Sequence, residues 1–322
     1  MHFQDLLTTM VLFTFLIGIK MNPANLVMGV FSFSHVTVGT LGNSLILIYH
    51  VTLIFSGKHL MPKDLIIQHL TFANCLSIVS RGIPQTMSDF GLKDFLDDTG
   101  CKLIMYIYRI TRGMSLYTMC LLSCFQAITI NPNNSRWMKL KLRASEYIGP
   151  SCSLGWLGHL ILNSLTPARV SGPSYNKNVT NKVTSEYCSW FASGNMATAL
   201  YMLLLSVFDG LCLALMACSS VSMVSILYRH KRQVRHIYSA QHSLKVSSED
   251  RATRTILILL CTFVISYSFS SILIIFRAYS KGPVLWKESV FIFPEIFFSI
   301  FCPFVLIHNS ICSQLLPCCF KR

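Results

Sequence analysis

The stretch Cys101-Lys102-Leu103-Ile104-Met105-Tyr106-Ile107-Tyr108-Arg109-Ile110-Thr111-Arg112 opens a mostly apolar run that ends only at Asn131-Pro132. At ~1.5 Å of rise per residue, a helix of that length crosses a hydrocarbon layer of ~30 Å with some length to spare. The charged loop Asp97-Asp98-Thr99-Gly100 precedes it. Arg109 and Arg112 stand one helical turn apart near its first third. A guanidinium is costly in hydrocarbon, so both must face other helices rather than lipid. The segment therefore reads as a central membrane-spanning helix that other helices surround.

Composition supports that reading. Of 322 residues, 52% are hydrophobic and only 12% charged, against about 25% charged in a soluble domain. Mean hydropathy is positive, +0.53. The formal charge of +14 sits mainly in short loops, the pattern of the positive-inside rule and not of a nucleic-acid surface. Most of the 13 cysteines lie inside apolar runs, where they act as small hydrophobes. No CxxC pair, HExxH, GxSxG or phosphate-binding glycine loop is present, so no catalytic residue, metal or cofactor is implied.

Outward from the central run, the chain divides into seven apolar segments: about Val27–Phe55, Asp64–Thr86, Cys101–Pro132, Tyr147–Leu165, Asn195–Tyr228, Thr255–Phe276 and Ser289–Ile311. The expected fold is all-α, an integral membrane bundle of seven transmembrane helices. The loops after spans one, three and five are basic, as is the tail, which places that side in the cytoplasm and the N-terminus outside. Residues 1–26 then form an N-terminal extracellular extension, 27–311 the seven-span domain and 312–322 a short cytoplasmic tail. A cleaved signal peptide fits poorly, since no basic n-region precedes Leu6–Ile19 and no small-residue cleavage site follows.

The same orientation puts the sequon Asn178-Val179-Thr180 outside, where glycosylation occurs, and Asn133-Asn134-Ser135 inside. Cys101 and Cys188 are the two cysteines near the outer face. A disulfide between them would tie the long loop Thr166–Gly194 to the third span, the alternative being a free loop thiol at Cys188. Besides Arg109 and Arg112, three further charges stand within spans: Arg81 near the outer end of the second, Asp209 deep in the fifth and Glu295 in the seventh. Arg109 and Glu295 come out at similar depth, about 10–12 Å from the outer end by helical rise. The functional reading is a polar ligand pocket around Arg109, Arg112 and Glu295; the structural one is helix pairing, favoured for Arg112 with Asp209. Arg81 either faces the bundle or snorkels outward. Arg229 to Arg235 continues the fifth span as a basic helix, suited to lipid headgroups or to a docking partner. Cys318-Cys319 beside Lys321-Arg322 is a palmitoylation candidate.

The residues resemble the vomeronasal type-1 receptors, a family of G protein-coupled pheromone receptors. The resemblance runs from about Met28 to Cys312. It rests on Gly42-Asn43-Ser44, Pro84-Gln85-Thr86-Met87, Gly100-Cys101-Lys102-Leu103, Cys120-Leu121-Leu122-Ser123 and Gln126-Ala127-Ile128-Thr129-Ile130. Asn134-Ser135-Arg136-Trp137, Ile226-Leu227-Tyr228-Arg229-His230-Lys231 and Pro303-Phe304-Val305-Leu306 complete the set, in order and at the right loop positions. Phe125-Gln126-Ala127 stands where rhodopsin-like receptors end the third span with Asp/Glu-Arg-Tyr, and Asn74 where they carry an aspartate. The familiar ionic lock and sodium site therefore do not carry over. The resemblance implies a plasma-membrane receptor for a pheromone or small odorant, no enzyme, with a heterotrimeric Gi/Go-type partner. Gln126, Arg136, Arg229 and Arg232 would face that partner. The Asn134–Trp137 string and the cysteine pair argue against the related bitter-taste receptors, and the lack of internal repeats against a transporter or channel subunit.

Overall fold

A computed structural model describes residues 23–57, 61–92, 95–131, 135–172, 182–184, 187–191, 196–237, 248–279 and 288–307. Its helices are α1 (Pro23–Phe55), α2 (Pro62–Ser77), α3 (Ile83–Asp89), α4 (Asp98–Ile130), α5 (Ser135–Leu162), α6 (Met196–Ile237), α7 (Ser248–Tyr279) and α8 (Glu288–Leu306). A π turn, Ile78–Gly82, joins α2 to α3 as one rod, so the described residues form a bundle of seven rods. Four of the described helical stretches are long and apolar enough to cross a membrane: Asn25–Phe55, Asp98–Ile130, Leu200–Arg229 and Thr253–Ser270.

The helix that holds Arg109 and Arg112 is the hub. Asp97 caps α4, its carboxylate accepting from the Gly100 N–H at 2.7 Å, and Asp98 adds charge in the first turn. α4 packs against α2, α5, α6 and α7. Of its most apolar window 56% is buried, against 11% for α6, which therefore lies at the margin. Leu200, Leu203, Leu204, Val207, Leu211 and Leu215 line the exposed face of α6 at helical spacing. In hydrocarbon a helix satisfies its own backbone, so such a face needs no protein cover.

The core between the hub and its neighbours is aliphatic, with Met114, Leu116, Met119 and Leu122 of α4 packed with Leu70, Met216, Leu259 and Cys302. Polar side chains lock the helices at intervals. Buried Asn43 donates from Nδ2 to the carbonyls of Gly39 and Ser299, each at 2.8 Å, tying α1 to α8. Asn74 accepts from Ser115 of α4 at 2.9 Å and from Ser299 of α8 at 3.2 Å.

Three differences from expectation bear on the site. The second span runs on to Asp89, because the π turn accommodates Pro84: proline has no N–H for the Ser80 carbonyl, and widening the helix relieves the ring's clash with that turn. The loop expected over Asn131–Glu146 is mostly helix. Met138-Lys139-Leu140-Lys141-Leu142-Arg143-Ala144 consists of strong helix formers, and its basic charge is compatible with a helix that projects beyond the apolar layer. The described residues of the long loop include a small antiparallel sheet: β1 (Val170–Ser171), β2 (Lys182–Thr184) and β3 (Ser189–Phe191), in the order β1-β3-β2. Its central strand, β3, directly follows Cys188. Cys188 is joined to Cys101 in the first turn of α4, the sulfurs 2.00 Å apart. Gly172 seals the same junction, donating to the Asp98 carboxylate at 3.1 Å, where a Cβ would meet the Asp98 backbone N at 3.0 Å.

Candidate functional site: a polar cavity among four rods

One stripe of α4 carries Met105, Tyr108, Arg112 and Ser115 at three- and four-residue spacing, toward the bundle interior. Arg112 reaches the Tyr108 hydroxyl at 3.4 Å, and its guanidinium lies 4.8 Å from the centre of the Tyr267 ring on α7. The Tyr267 hydroxyl donates in turn to the carboxylate of Asp209 on α6. Asp209 lies within electrostatic reach of both Arg112 and Arg109. The pairing expected between Arg112 and Asp209 thus takes a bridged form, with a tyrosine between the charges.

Beside this bridge is a partly open polar cavity. Hydroxyls enter it from every rod: Ser77 at the end of α2, Ser115 from α4, Ser266 and Ser270 from α7, and Ser299 from α8. Phe263 and Phe298 form an apolar wall, edge to face with ring centres 4.7 Å apart. Among the described residues that line it, Arg112 is the one charged side chain. At one boundary Ser115 and Ser299 are held by Asn74.

Toward the Cys101 end stands Arg81. It does not snorkel outward: it is 8% exposed and donates to the Tyr187 hydroxyl at 2.7 Å. Its guanidinium lies 5.5 Å from the Tyr108 ring centre and 5.8 Å from that of Tyr187. The π turn that begins at Ile78 sets where Arg81 falls on the rod. Tyr187 precedes the disulfide cysteine, so Arg81 binds the loop to the bundle interior. An unbroken series results: Tyr187, Arg81, Tyr108, Arg112, Tyr267, Asp209.

Other expected site residues separate. Arg109 is half-buried on the neighbouring face of α4. The side chain of Glu295 lies outside the described residues, as do Asn178, Cys318, Cys319 and the side chain of Arg136. Arg229 and Arg232 are exposed on the basic end of α6. Gln126, expected to face a partner, is instead buried near the Ile130 end of α4. Among the described residues, no group of His, Cys, Asp or Glu is placed to hold a metal ion.

The sequence reading passed over Tyr108, Tyr187, Tyr267 and the serines. Tyr108 carries a signal, since a tyrosine four residues before an arginine shares its helix face. Tyr187 stands next to the loop cysteine. Tyr267 offers none, because its partner lies 58 residues away. Buried His159 of α5 packs on Gly113, where a Cβ would come within 2.4 Å of the ring.

Residues 26–315 match the Vomeronasal organ pheromone receptor family. The chain is 40% identical over 283 residues to Vomeronasal type-1 receptor 1 of Gorilla gorilla gorilla, covering 88% of this chain and 79% of that protein. It is 40% identical over 273 residues to Vomeronasal type-1 receptor 4 of Homo sapiens, covering 85% and 91%. Olfactory receptor class A-like protein 1 of Danio rerio is 30% identical over 276 residues, covering 85% and 86%. Among solved structures, squid rhodopsin superposes with a TM-score of 0.65 at 18% identity, over 94% of this chain and 88% of that one; at that identity the likeness speaks for the fold alone.

Proposed function

The chain belongs to the vomeronasal type-1 receptor family, a family of multi-pass membrane chemosensory receptors, and from that premise we propose that it is a pheromone or small-odorant receptor activating a Gi/Go-type G protein. The N-terminus faces outward and the tail the cytoplasm. A small ligand occupies the bundle toward the Cys101 end, around Arg112, with Arg109 and Glu295 contributing. It binds one helix arrangement more tightly than another and so shifts the population. The basic ends of α5 and α6, with Arg136, Arg229 and Arg232, meet the G protein, and Gln126 becomes accessible when the bundle rearranges. Asn178 is glycosylated and Cys318-Cys319 acylated.

The observation that carries this reading is the polar cavity, which adjoins a charged bridge between α4, α7 and α6. A ligand that moves Arg112 moves the contact holding α7 to α6. The test is a panel of volatile and steroid-like compounds on cells displaying the full chain, read through inhibition of cAMP. An active compound is expected whose effect pertussis toxin abolishes, and whose potency falls about tenfold or more in Arg112→Ala at matched surface display. A response that survives the toxin overturns the Gi/Go assignment. Unchanged potency in Arg109→Ala, Arg112→Ala and Glu295→Ala overturns the pocket.

A further inference from the structure

We infer that the cavity beside Arg112 is built for an acidic amphiphile, a small ligand with a carboxylate head and an apolar body. The inference rests on the reading of the chain as a small-molecule receptor and names the chemistry of its ligand. The lining decides it. Arg112 is a fixed positive charge, and a guanidinium matches a carboxylate in a two-pronged, charge-assisted hydrogen bond. Its contact with the Tyr108 hydroxyl, 3.4 Å, is long, so a carboxylate oxygen would replace a weak bond with a strong one. Ser77 and Ser266 also line the cavity, and among the described residues neither hydroxyl has a hydrogen-bond partner. Hydroxyls can donate to a second carboxylate oxygen.

The opposite chemistry is poorly served. An ammonium head needs a carboxylate, and none lines the cavity among the described residues. Asp209 is already engaged by Tyr267. Glu295 stands four residues before Ser299 on the same helix, so an amine preference is the outcome that would assign Glu295 to the cavity instead. Phe263 and Phe298 offer the apolar body a wall.

The experiment uses the full chain purified into lipid nanodiscs and a matched set of probes: octanoic acid, 1-octanol and octylamine, with affinities read by calorimetry against empty nanodiscs. The acid is expected to bind about tenfold or more tightly than the alcohol, a difference that Arg112→Gln removes by weakening the acid far more than the alcohol. Arg112→Lys retains the preference for the acid at lower affinity. Should Arg112→Gln fail to fold, Ser77→Ala and Ser266→Ala serve, each lowering acid affinity severalfold more than alcohol affinity. Equal binding of acid and alcohol overturns the inference, as does acid binding indifferent to all of these variants, or no acid binding above that of empty nanodiscs. Tighter binding of the amine also overturns it. Because no G protein is present, acid binding without cAMP inhibition in cells would sink the coupling assignment and leave the ligand class standing.

Discussion

Tyr267 is the residue on which the bundle's charged interior turns. Its ring lies against the Arg112 guanidinium and its hydroxyl donates to Asp209, so α4 and α6 are joined through α7. Tyr267→Phe keeps the ring and removes the donor, leaving Asp209 short of a hydrogen bond in an apolar layer. The expected cost is about 1–3 kcal/mol, seen as a lower melting temperature of the solubilised receptor. Asp209→Asn should cost less, since the amide oxygen still accepts from the tyrosine. In a double-mutant cycle the two changes should be clearly non-additive; additive losses would mean that the hydroxyl and the carboxylate act separately. A sequence cannot supply this pairing. Asp209 and Tyr267 lie on helices apolar nearly all round, and periodicity assigns no inward face to such helices.

At the scale of elements, close contact between α4 and α5 depends on Gly113, over which the His159 ring sits. Gly113→Ala forces the ring aside at a cost of about 1–3 kcal/mol, and adding His159→Ala should recover most of it. Thermal melting of the single and double variants checks this; a harmless Gly113→Ala would show that the rods can part freely there. The second rod depends on Pro84 in the same local way. Pro84→Ala restores a backbone donor for Ser80, allows the π turn to tighten to an α-helix, and rotates Arg81 away from Tyr187. Hydrogen exchange should then accelerate in the loop around Tyr187 while the core of α4 stays protected. Unchanged exchange would mean that the π turn does not depend on the proline. These elements were unequally legible. The start of α4 is legible to within a turn from the abrupt rise in hydropathy at Cys101, although Asp98 to Gly100 already belong to the helix. The start of α5 is not legible, because a helix projecting into water has the same composition as a basic loop. The π turn escaped because Pro84 marks a break in the helix without saying whether the rod ends or widens. Of the candidate site, Arg112 was legible from the cost of a buried charge, whereas its serine and tyrosine neighbours are unexceptional in sequence.

The whole molecule is a bundle whose exposed surface is apolar along much of its length, and that follows from the solvent it occupies. Leu215 near the middle of α6 is 53% exposed. On a water-soluble bundle Leu215→Lys would be neutral or mildly favourable. In a bilayer it carries an ammonium to the middle of the hydrocarbon, which costs about 2.5–3.5 kcal/mol on insertion scales. Leu122 is buried against the core at 1% exposure, and Leu122→Ala tests packing alone. The two should therefore fail differently. Leu122→Ala lowers melting temperature in detergent and bilayer alike, by a cavity term of about 2–5 kcal/mol. Leu215→Lys melts normally in detergent, where the lysine reaches water, yet reaches the cell surface poorly. A Leu215→Lys protein displayed at normal levels would mean that this face of α6 meets water or another polypeptide, and would move the margin of the bundle elsewhere.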